Sequence, residues 1–186
     1  MKEQVVLVDQ ADNIIGREEK LLAHLQGDLH RAFSIFVFNS SGELLIQQRS
    51  KKKYHTPGLW SNTCCSHPRP GEELGIAVHR RLQEEMGFNC ELLKIFSCYY
   101  KLKLDNNLIE HEHDHVFIGF FDGEPGPDPT EVENWQWLSM ERIMEKMSNS
   151  PHLFTPWFTL IIHDYGSQIF NALSGPVTGK INGNKR

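Results

Sequence analysis

The sequence lacks the features that would direct the chain into a membrane, out of the cell or onto nucleic acid. No stretch approaches the run of about 20 apolar residues that spans a bilayer. The apolar run near the N-terminus is too short for the core of a signal peptide. A net charge of -5 also lacks the basic excess that is typical of nucleic-acid-binding proteins. We therefore expect a cytoplasmic monomer that acts on a small molecule, without nucleic acid or a membrane as a partner.

Cysteine is scarce, and its spacing argues against a disulfide framework. The four cysteines are Cys64, Cys65, Cys90 and Cys98, and no two of them form a CxxC pair. Neighbours in sequence rarely bridge, and no export signal points to an oxidising compartment. We therefore expect four reduced thiols.

Internal repeats and low-complexity segments are absent as well. A chain of 186 residues is long enough to bury one sizeable core. We expect a single domain over residues 1–186, in which 179–186 form a flexible tail.

Apolar periodicity predicts a fold of mixed class. Strands are predicted at 5–9, 32–39, 43–48, 91–102, 109–121 and about 135–138. Helices are predicted at 18–24, at 72–86 and twice after residue 138, the second of these beginning at Thr155 and Pro156. Prolines and glycines predict an irregular segment over 50–71. The class is α/β of the α+β type, with a mixed sheet flanked by helices.

The predicted strand at 109–121 carries acidic and imidazole side chains in alternation. Because side chains two residues apart share a face, the carboxylates point one way and the imidazoles the other. The acidic face holds Glu110, Glu112 and Asp114, and the other face holds His111, His113 and His115. Same-face positions lie about 7 Å apart, so two carboxylates can close on one cation. The alternative is a solvated strand face, and the three histidines receive no role.

Two adjacent cysteines precede a histidine in the irregular segment. If this segment is extended, Cys65 and His67 share one side, and Cys64 faces the other. Cys65 is therefore the candidate for a reactive thiol. The alternative is that both cysteines are small buried apolar residues, as free cysteines usually are.

Histidines and carboxylates together form a candidate metal site. A lone histidine is more often structural than a ligand. His24, His30 and His67 with two strand carboxylates, however, make a mixed nitrogen and oxygen set suited to Mn²⁺, Mg²⁺ or Zn²⁺.

A carboxylate on the predicted helix 72–86 points toward the protein body. Glu85 falls within the angular spread of the apolar stripe of this helix. An uncompensated buried charge costs on the order of several kcal/mol, so this carboxylate needs a cation. Arg81, four residues earlier, can form an ion pair with it. A metal bound through a ligand phosphate is the other interpretation, and the spacing leaves both open.

The segment 66–87 resembles the Nudix signature. This signature reads Gly, five residues, Glu, seven residues, Arg-Glu, an apolar residue, any residue, Glu-Glu, any residue and Gly. The matching positions are Ser66, Glu72, Arg80, Arg81, Leu82, Glu84, Glu85 and Gly87. Ser66 stands where the signature has Gly. Arg81 stands where hydrolases of this class have a Glu that serves metal binding and water activation. The resemblance implies a Nudix-like mixed sheet and argues against hydrolysis.

Two further motifs narrow the resemblance to one branch. W-S-N-T-C-C-S-H-P at 60–68 and E-H-E at 110–112 are similar to the type I isopentenyl diphosphate isomerases. The resemblance runs from about residue 4 to residue 163. It implies an isomerase of isoprenoid biosynthesis that interconverts isopentenyl and dimethylallyl diphosphate by a reversible proton addition and elimination.

The resemblance also implies roles for individual residues. Cys65 corresponds to the catalytic thiol and Glu112 to the catalytic carboxylate, while Tyr100 and Trp157 match further active-site positions. Contacts to the diphosphate correspond to Lys20, Arg49, Lys53 and Arg81. The ligands of one divalent metal, Mn²⁺, Mg²⁺ or Zn²⁺, correspond to His24, His30, His67, Glu110 and Glu112. Glu85 corresponds to the residue that helps hold a diphosphate-bound Mg²⁺.

Two other functions are weighed against the isomerase. A Nudix hydrolase of a nucleoside diphosphate derivative is disfavoured by Arg81, and it would leave Cys65 and Glu112 idle. A domain that only binds a diphosphate is disfavoured because every position that the resemblance marks as catalytic is occupied.

Overall fold

A computed structural model describes residues 2–174, so the tail predicted at 179–186 lies outside the described residues. The strands are β1 (Gln4–Val8), β2 (Ile14–Glu19), β3 (His30–Phe38), β4 (Leu44–Arg49), β5 (Trp60–Ser61), β6 (Cys64–Ser66), β7 (Leu92–Lys103), β8 (Ile109–Phe120) and β9 (Val132–Leu138). The α-helices are α1 (Lys20–Gln26), α2 (Leu74–Met86), α3 (Met140–Asn149) and α4 (Pro156–Ser174). Within residues 2–174, no helix combines the length and apolar character needed to cross a membrane.

The strands form one mixed sheet around β3. Strands β2, β1, β3, β4 and β5 follow one another in that order, β6 and β8 also pair with β3, β7 pairs with β8, and β9 pairs with β4. The β3–β8 pair is parallel, and the other named pairs are antiparallel. A mixed sheet with helices packed on it confirms the predicted fold class.

The two faces of β3 contribute to two separate cores, because its side chains alternate. Phe33, Ile35 and Val37 pack with apolar residues of α2. Phe36 and Phe38 pack with apolar residues of α3 and α4. The sheet is therefore covered by helices on both faces, and β3 runs through its middle.

The predicted elements are present, with shifted ends and three additions. Helix α1 begins at Lys20, two residues later than predicted, because β2 precedes it directly. The predictions missed β2, whose residues are largely exposed and show no apolar alternation. They also missed β5 and β6, which lie inside the segment that was expected to be irregular. Helix α2 ends as predicted, at Gly87, which has a φ of 74°.

Candidate active site

Four parts of the chain bring the five predicted metal ligands together. His24 lies on α1, His30 opens β3, His67 follows β6, and Glu110 and Glu112 lie on β8. One ligand atom from each residue lies within 4.8 Å of the others, and all five side chains are buried. The parallel pairing of β3 and β8 sets His30 opposite Glu112. This burial overturns the alternative of a solvated acidic face on β8.

Backbone carbonyls orient two of the imidazoles. His24 Nδ1 lies 2.6 Å from the carbonyl oxygen of Lys20, and His30 Nδ1 lies 2.8 Å from that of Asp28. A ring nitrogen that faces a carbonyl carries the proton, which leaves Nε2 with a free lone pair. Such an arrangement is characteristic of metal-binding histidines.

The inward-facing atoms of this group are poorly satisfied by hydrogen bonds. His24 Nε2 and Glu110 Oε2 lie 3.1 Å apart, yet both are buried and neither makes a hydrogen bond within the described part of the chain. His30 Nε2 is in the same state. Orphaned buried polar atoms are costly, and a shared divalent cation would satisfy all of them. The residues therefore fit a divalent metal.

The two ligand carboxylates titrate in opposite directions. Burial raises the pKa of Glu110, and the negative charge of Glu112 raises it further. Burial acts on Glu112 as well, but the imidazoles of His30 and His67 hold the pKa of this carboxyl well below its usual range. Burial lowers the pKa of His67 to about 3, so its imidazole remains neutral near neutral pH. Glu112 is thus the ionised member of the pair.

Asp114 is the third carboxylate on this face but not a member of the metal-binding group. It is fully buried and accepts a hydrogen bond of 2.8 Å from the Ser34 hydroxyl. Burial, with the nearby Glu112 charge, raises the pKa of Asp114 well above its usual value. This carboxyl is therefore kept neutral behind the metal ligands.

Glu112 is held at both carboxylate oxygens. Its Oε1 lies 2.9 Å from His67 Nε2, and its Oε2 accepts a hydrogen bond from the Tyr100 hydroxyl. The β7–β8 register sets Tyr100 directly beside Glu112. Burial raises the pKa of Tyr100 well above its usual value, so the phenol stays protonated and keeps donating.

Cys65 lines the same pocket as Glu112, His67 and Trp157. Burial raises the pKa of its thiol to about 12, although the nearby Arg49 acts in the opposite direction. The thiol is therefore protonated at neutral pH. Its Sγ lies 3.9 Å from the Ser61 hydroxyl.

Trp157 is fixed at the wall of the pocket. Its indole Nε1 donates a hydrogen bond of 3.1 Å to Ser61 Oγ, and Ser61 Oγ lies 3.0 Å from the Thr155 hydroxyl. The guanidinium of Arg49 lies 5.3 Å from the centroid of the Trp157 ring, which is within cation–π range. One face of the indole is thus already engaged by a cation.

Basic side chains form one end of the pocket. Lys20, Arg49, Lys53 and Arg81 all contribute to its lining, as does Glu85. An adjoining surface groove shares three of these residues and adds Lys52, Arg69 and Arg80. Acidic partners, including Glu131, offset part of this charge. The balance is positive, as an anionic ligand requires.

Glu85 is buried and forms the predicted ion pair with Arg81. Arg81 contacts Glu85 Oε1, and Gln47 donates a hydrogen bond of 3.0 Å to Oε2. Burial raises the pKa of Glu85, but the charges of Arg81 and Lys53 and the hydrogen bonds from Gln47 and Arg81 together outweigh that effect, so the pKa is lowered and the carboxyl stays ionised. The ion pair leaves the second interpretation open, because Glu85 also lines the pocket together with the basic side chains.

No role was predicted for His55, which is buried in this site. Arg49 Nη2 lies 3.0 Å from His55 Nδ1, which must accept because a guanidinium only donates. His55 Nε2 therefore carries the proton and lies 3.5 Å from Glu110 Oε1. Burial and the Arg49 charge lower the pKa of His55 to about 2. Tyr54, which lines the pocket, and Ser61, which accepts the Trp157 hydrogen bond, were missed too. Ser61 lies within the motif at 60–68 and Tyr54 follows Lys53, but the sequence pattern assigned a role to neither.

Comparisons with known sequences give a family match and several similar proteins. Residues 28–158 match the NUDIX domain family. The chain is 51% identical over 171 residues to a Burkholderia multivorans protein named isopentenyl-diphosphate Delta-isomerase, which covers 92% of this chain and 97% of that protein. It is 48% identical over 167 residues to a Serratia proteamaculans protein of the same name, with 90% and 93% covered.

Solved structures share the fold at low sequence identity. DR0079 from Deinococcus radiodurans matches with a TM-score of 0.70 at 18% identity, over 88% of this chain and 99% of that one. The MutT protein from Methanosarcina mazei matches with a TM-score of 0.55 at 21% identity, over 63% and 81%. At such identities the likeness concerns the fold alone.

Proposed function

Because the chain belongs to the isopentenyl-diphosphate Delta-isomerase family of NUDIX-domain proteins, we propose that it interconverts isopentenyl and dimethylallyl diphosphate with Cys65 and Glu112 as its proton-transfer groups. The reaction would serve isoprenoid biosynthesis. The observation that carries the proposal is that this thiol and this carboxylate line one pocket, which is also lined by His67 and Glu110 of the candidate metal group and by four basic side chains. A hydrolase has less support, because these relatives are named isomerases and Arg81 replaces the Glu of the hydrolase signature.

The reaction moves one double bond by one position. A proton is added to one terminal carbon of the allylic system, a tertiary carbocation-like state forms, and a proton leaves from the carbon at the other end. With Cys65 as a thiol and Glu112 as a carboxylate, the thiol gives the proton and the carboxylate accepts the second one. This transfer leaves a thiolate and a carboxylic acid, which is the protonation state needed for the reverse direction.

The chain must also stabilise positive charge and exclude water. The indole of Trp157 offers a π face, which contributes on the order of 1 to 2 kcal/mol to a desolvated cation. Its hydrogen bond to Ser61 keeps the ring from rotating away. The burial of Glu112 and the partial burial of Cys65 limit access of water, which would otherwise trap the cation.

His24, His30, His67, Glu110 and Glu112 would hold a divalent metal, either Mn²⁺, Mg²⁺ or Zn²⁺, and Glu85 would help to hold a diphosphate-bound Mg²⁺. Such ions neutralise charge on carboxylates and phosphates. The carboxylate of Glu112 links the metal group to Tyr100, because it is one of the candidate metal ligands and also accepts the Tyr100 hydrogen bond. Tyr100 therefore orients Glu112 toward the substrate tail.

Lys20, Arg49, Lys53 and Arg81 would anchor the diphosphate. They line the pocket, and three of them continue into the adjoining groove, so the anion has a path to the surface. Anchoring the charged end fixes the short apolar tail between the two proton-transfer groups, and this positioning is itself a source of rate enhancement.

The proposal is tested by incubating the protein with isopentenyl diphosphate and Mg²⁺ in deuterated water. We expect dimethylallyl diphosphate that carries deuterium, detected by NMR and mass spectrometry, and no deuterium uptake with Cys65→Ala. Release of phosphate without isomerisation would instead support a hydrolase. A protein that binds the diphosphate but never turns it over would be a binding module, and the proposal would be rejected.

A further inference from the structure

A second group of potential metal ligands lies on the opposite face of β8 from the first. Asp12, His113 and His115 each offer one ligand atom, and these atoms lie within 4.8 Å of one another. Alternation along the strand separates them from Glu110 and Glu112. The group therefore shares no residue with the candidate active site. No role was predicted from the sequence for His113 or His115.

Two imidazole nitrogens of this group are buried without a hydrogen bond. His115 is 4% exposed, and its Nε2 makes no hydrogen bond within residues 2–174. The nitrogen nevertheless lies 3.1 Å from Asp12 Oδ2. A tetrahedral ion with bonds of about 2.1 Å separates its ligand atoms by roughly 3.4 Å. His113 Nδ1 is a second buried nitrogen without a hydrogen bond.

Neighbouring side chains orient the ligands. Ser97 Oγ lies 3.1 Å from His115 Nδ1. When the serine oxygen accepts from Nδ1, the lone pair of His115 is on Nε2, toward Asp12. Arg31 Nε donates a hydrogen bond of 2.7 Å to Asp12 Oδ1, which leaves Oδ2 for another partner.

Local charges set the expected strength of binding. The Arg31 guanidinium opposes a cation, whereas the carboxylate of Asp9 lies close enough to His113 to interact with its charge. The first group offers five ligands and this one three. We therefore expect the first group to fill before the second.

We propose that Asp12, His113 and His115 bind a divalent transition-metal ion of the Zn²⁺ class. Two imidazoles and one carboxylate form a ligand set that Zn²⁺ accepts, with a fourth position open to water. Asp12 lies in the turn between β1 and β2, and the histidines lie on β8. The ion would therefore tie the turn between β1 and β2 to β8.

Metal content of the full chain tests the proposal. The chain is stripped with a chelator, incubated with excess Zn²⁺ and desalted before elemental analysis. His113→Gln should hold one ion fewer per chain than the wild type and keep its isomerase activity. His111→Gln is the matched control, because His111 neighbours the group in sequence without belonging to it, and it should hold as many ions as the wild type. Equal metal content in His113→Gln and the wild type would overturn the proposal.

Two further measurements test the proposal if His113→Gln folds poorly. In a His24→Gln background, which weakens the first group, Zn²⁺ should raise the melting temperature, and adding Asp12→Asn should make that rise smaller at the same Zn²⁺ concentration. Crystals of the unsubstituted chain grown with Zn²⁺ should give an anomalous peak between Asp12 and His115. A peak at the first group alone would overturn the proposal even if every variant unfolded.

Discussion

Cys64 and Cys65 are adjacent in the chain but belong to different cores. Cys64 is fully buried among the apolar residues beneath α2. Cys65 packs against the other core and lines the pocket. The antiparallel pairing of β6 with β3 sets this division, since Cys64 pairs with Ile35 and Cys65 with Ser34.

The division predicts opposite results for two alanine substitutions. Cys65→Ala should lower turnover by at least roughly 10²-fold, because it removes a proton-transfer group. Cys64→Ala should keep most of the activity and lose on the order of 1 kcal/mol of stability through a small cavity. Turnover and urea unfolding of both variants provide the check. An inactive but folded Cys64→Ala protein would contradict the assignment.

The hydrogen bond from Tyr100 to Glu112 predicts a graded pair of defects. Glu112→Gln should reduce kcat by about 10² to 10⁴-fold, because it removes the proton acceptor. Tyr100→Phe keeps the carboxylate but loses the hydrogen bond that orients it, which is worth about 1.5 kcal/mol, so kcat should fall by a smaller factor of about 10-fold.

Tyr99→Phe is the matched control for Tyr100→Phe. Tyr99 lies on the same strand, but its side chain is 44% exposed and its hydroxyl contacts His111. The kcat of Tyr99→Phe should equal that of the wild type. If both phenylalanine variants lost activity equally, the effect would reflect a disturbed β7 and not the loss of a bond to Glu112.

Most of the strands, though not β2, β5 and β6, and the acidic face of β8 were predictable from sequence because alternation is a local property. Alternation along an extended segment separated Cys65 from Cys64 for the same reason. That Cys65 acts together with the distant Glu112 was implied only by the family resemblance. The burial of Glu110 and Glu112 follows from the register of β3 with β8, which periodicity alone does not define.

His55 shows what local reasoning misses. Its contacts to Arg49 and Glu110 depend on how the loop between β4 and β5 folds back over the pocket. The spacing of residues in the sequence does not predict this loop conformation. The site on β8 formed by Asp12, His113 and His115 was missed similarly, because Asp12 comes from a turn about 100 residues away.

Metal removal should abolish activity reversibly. Treatment with a chelator should reduce isomerisation to background, and added Mn²⁺, Mg²⁺ or Zn²⁺ should restore it to different extents. His24→Gln should need a higher metal concentration for half-maximal activity, because one of five ligands is weakened. His111→Gln should behave as the wild type, since His111 makes a hydrogen bond with the Gly27 carbonyl and is not one of the five candidate metal ligands. Full activity after verified metal removal would contradict the metal's role.

The ion pair between Glu72 and Arg80 predicts a stability difference that depends on pH. Arg80 donates hydrogen bonds of 2.7 and 2.8 Å to the two carboxylate oxygens, and this pairing lowers the pKa of Glu72 from 4.5. A lowered folded-state pKa stabilises the protein above about pH 4.5, and the benefit is lost as pH falls through the folded value. Glu72→Gln should therefore be less stable than the wild type by on the order of 1 kcal/mol at pH 7, with the difference shrinking toward pH 3. Urea unfolding across this range measures the difference, with Glu73→Gln as the exposed neighbouring control. A difference that stayed constant with pH would mean that Glu72 contributes through packing and not through its charge.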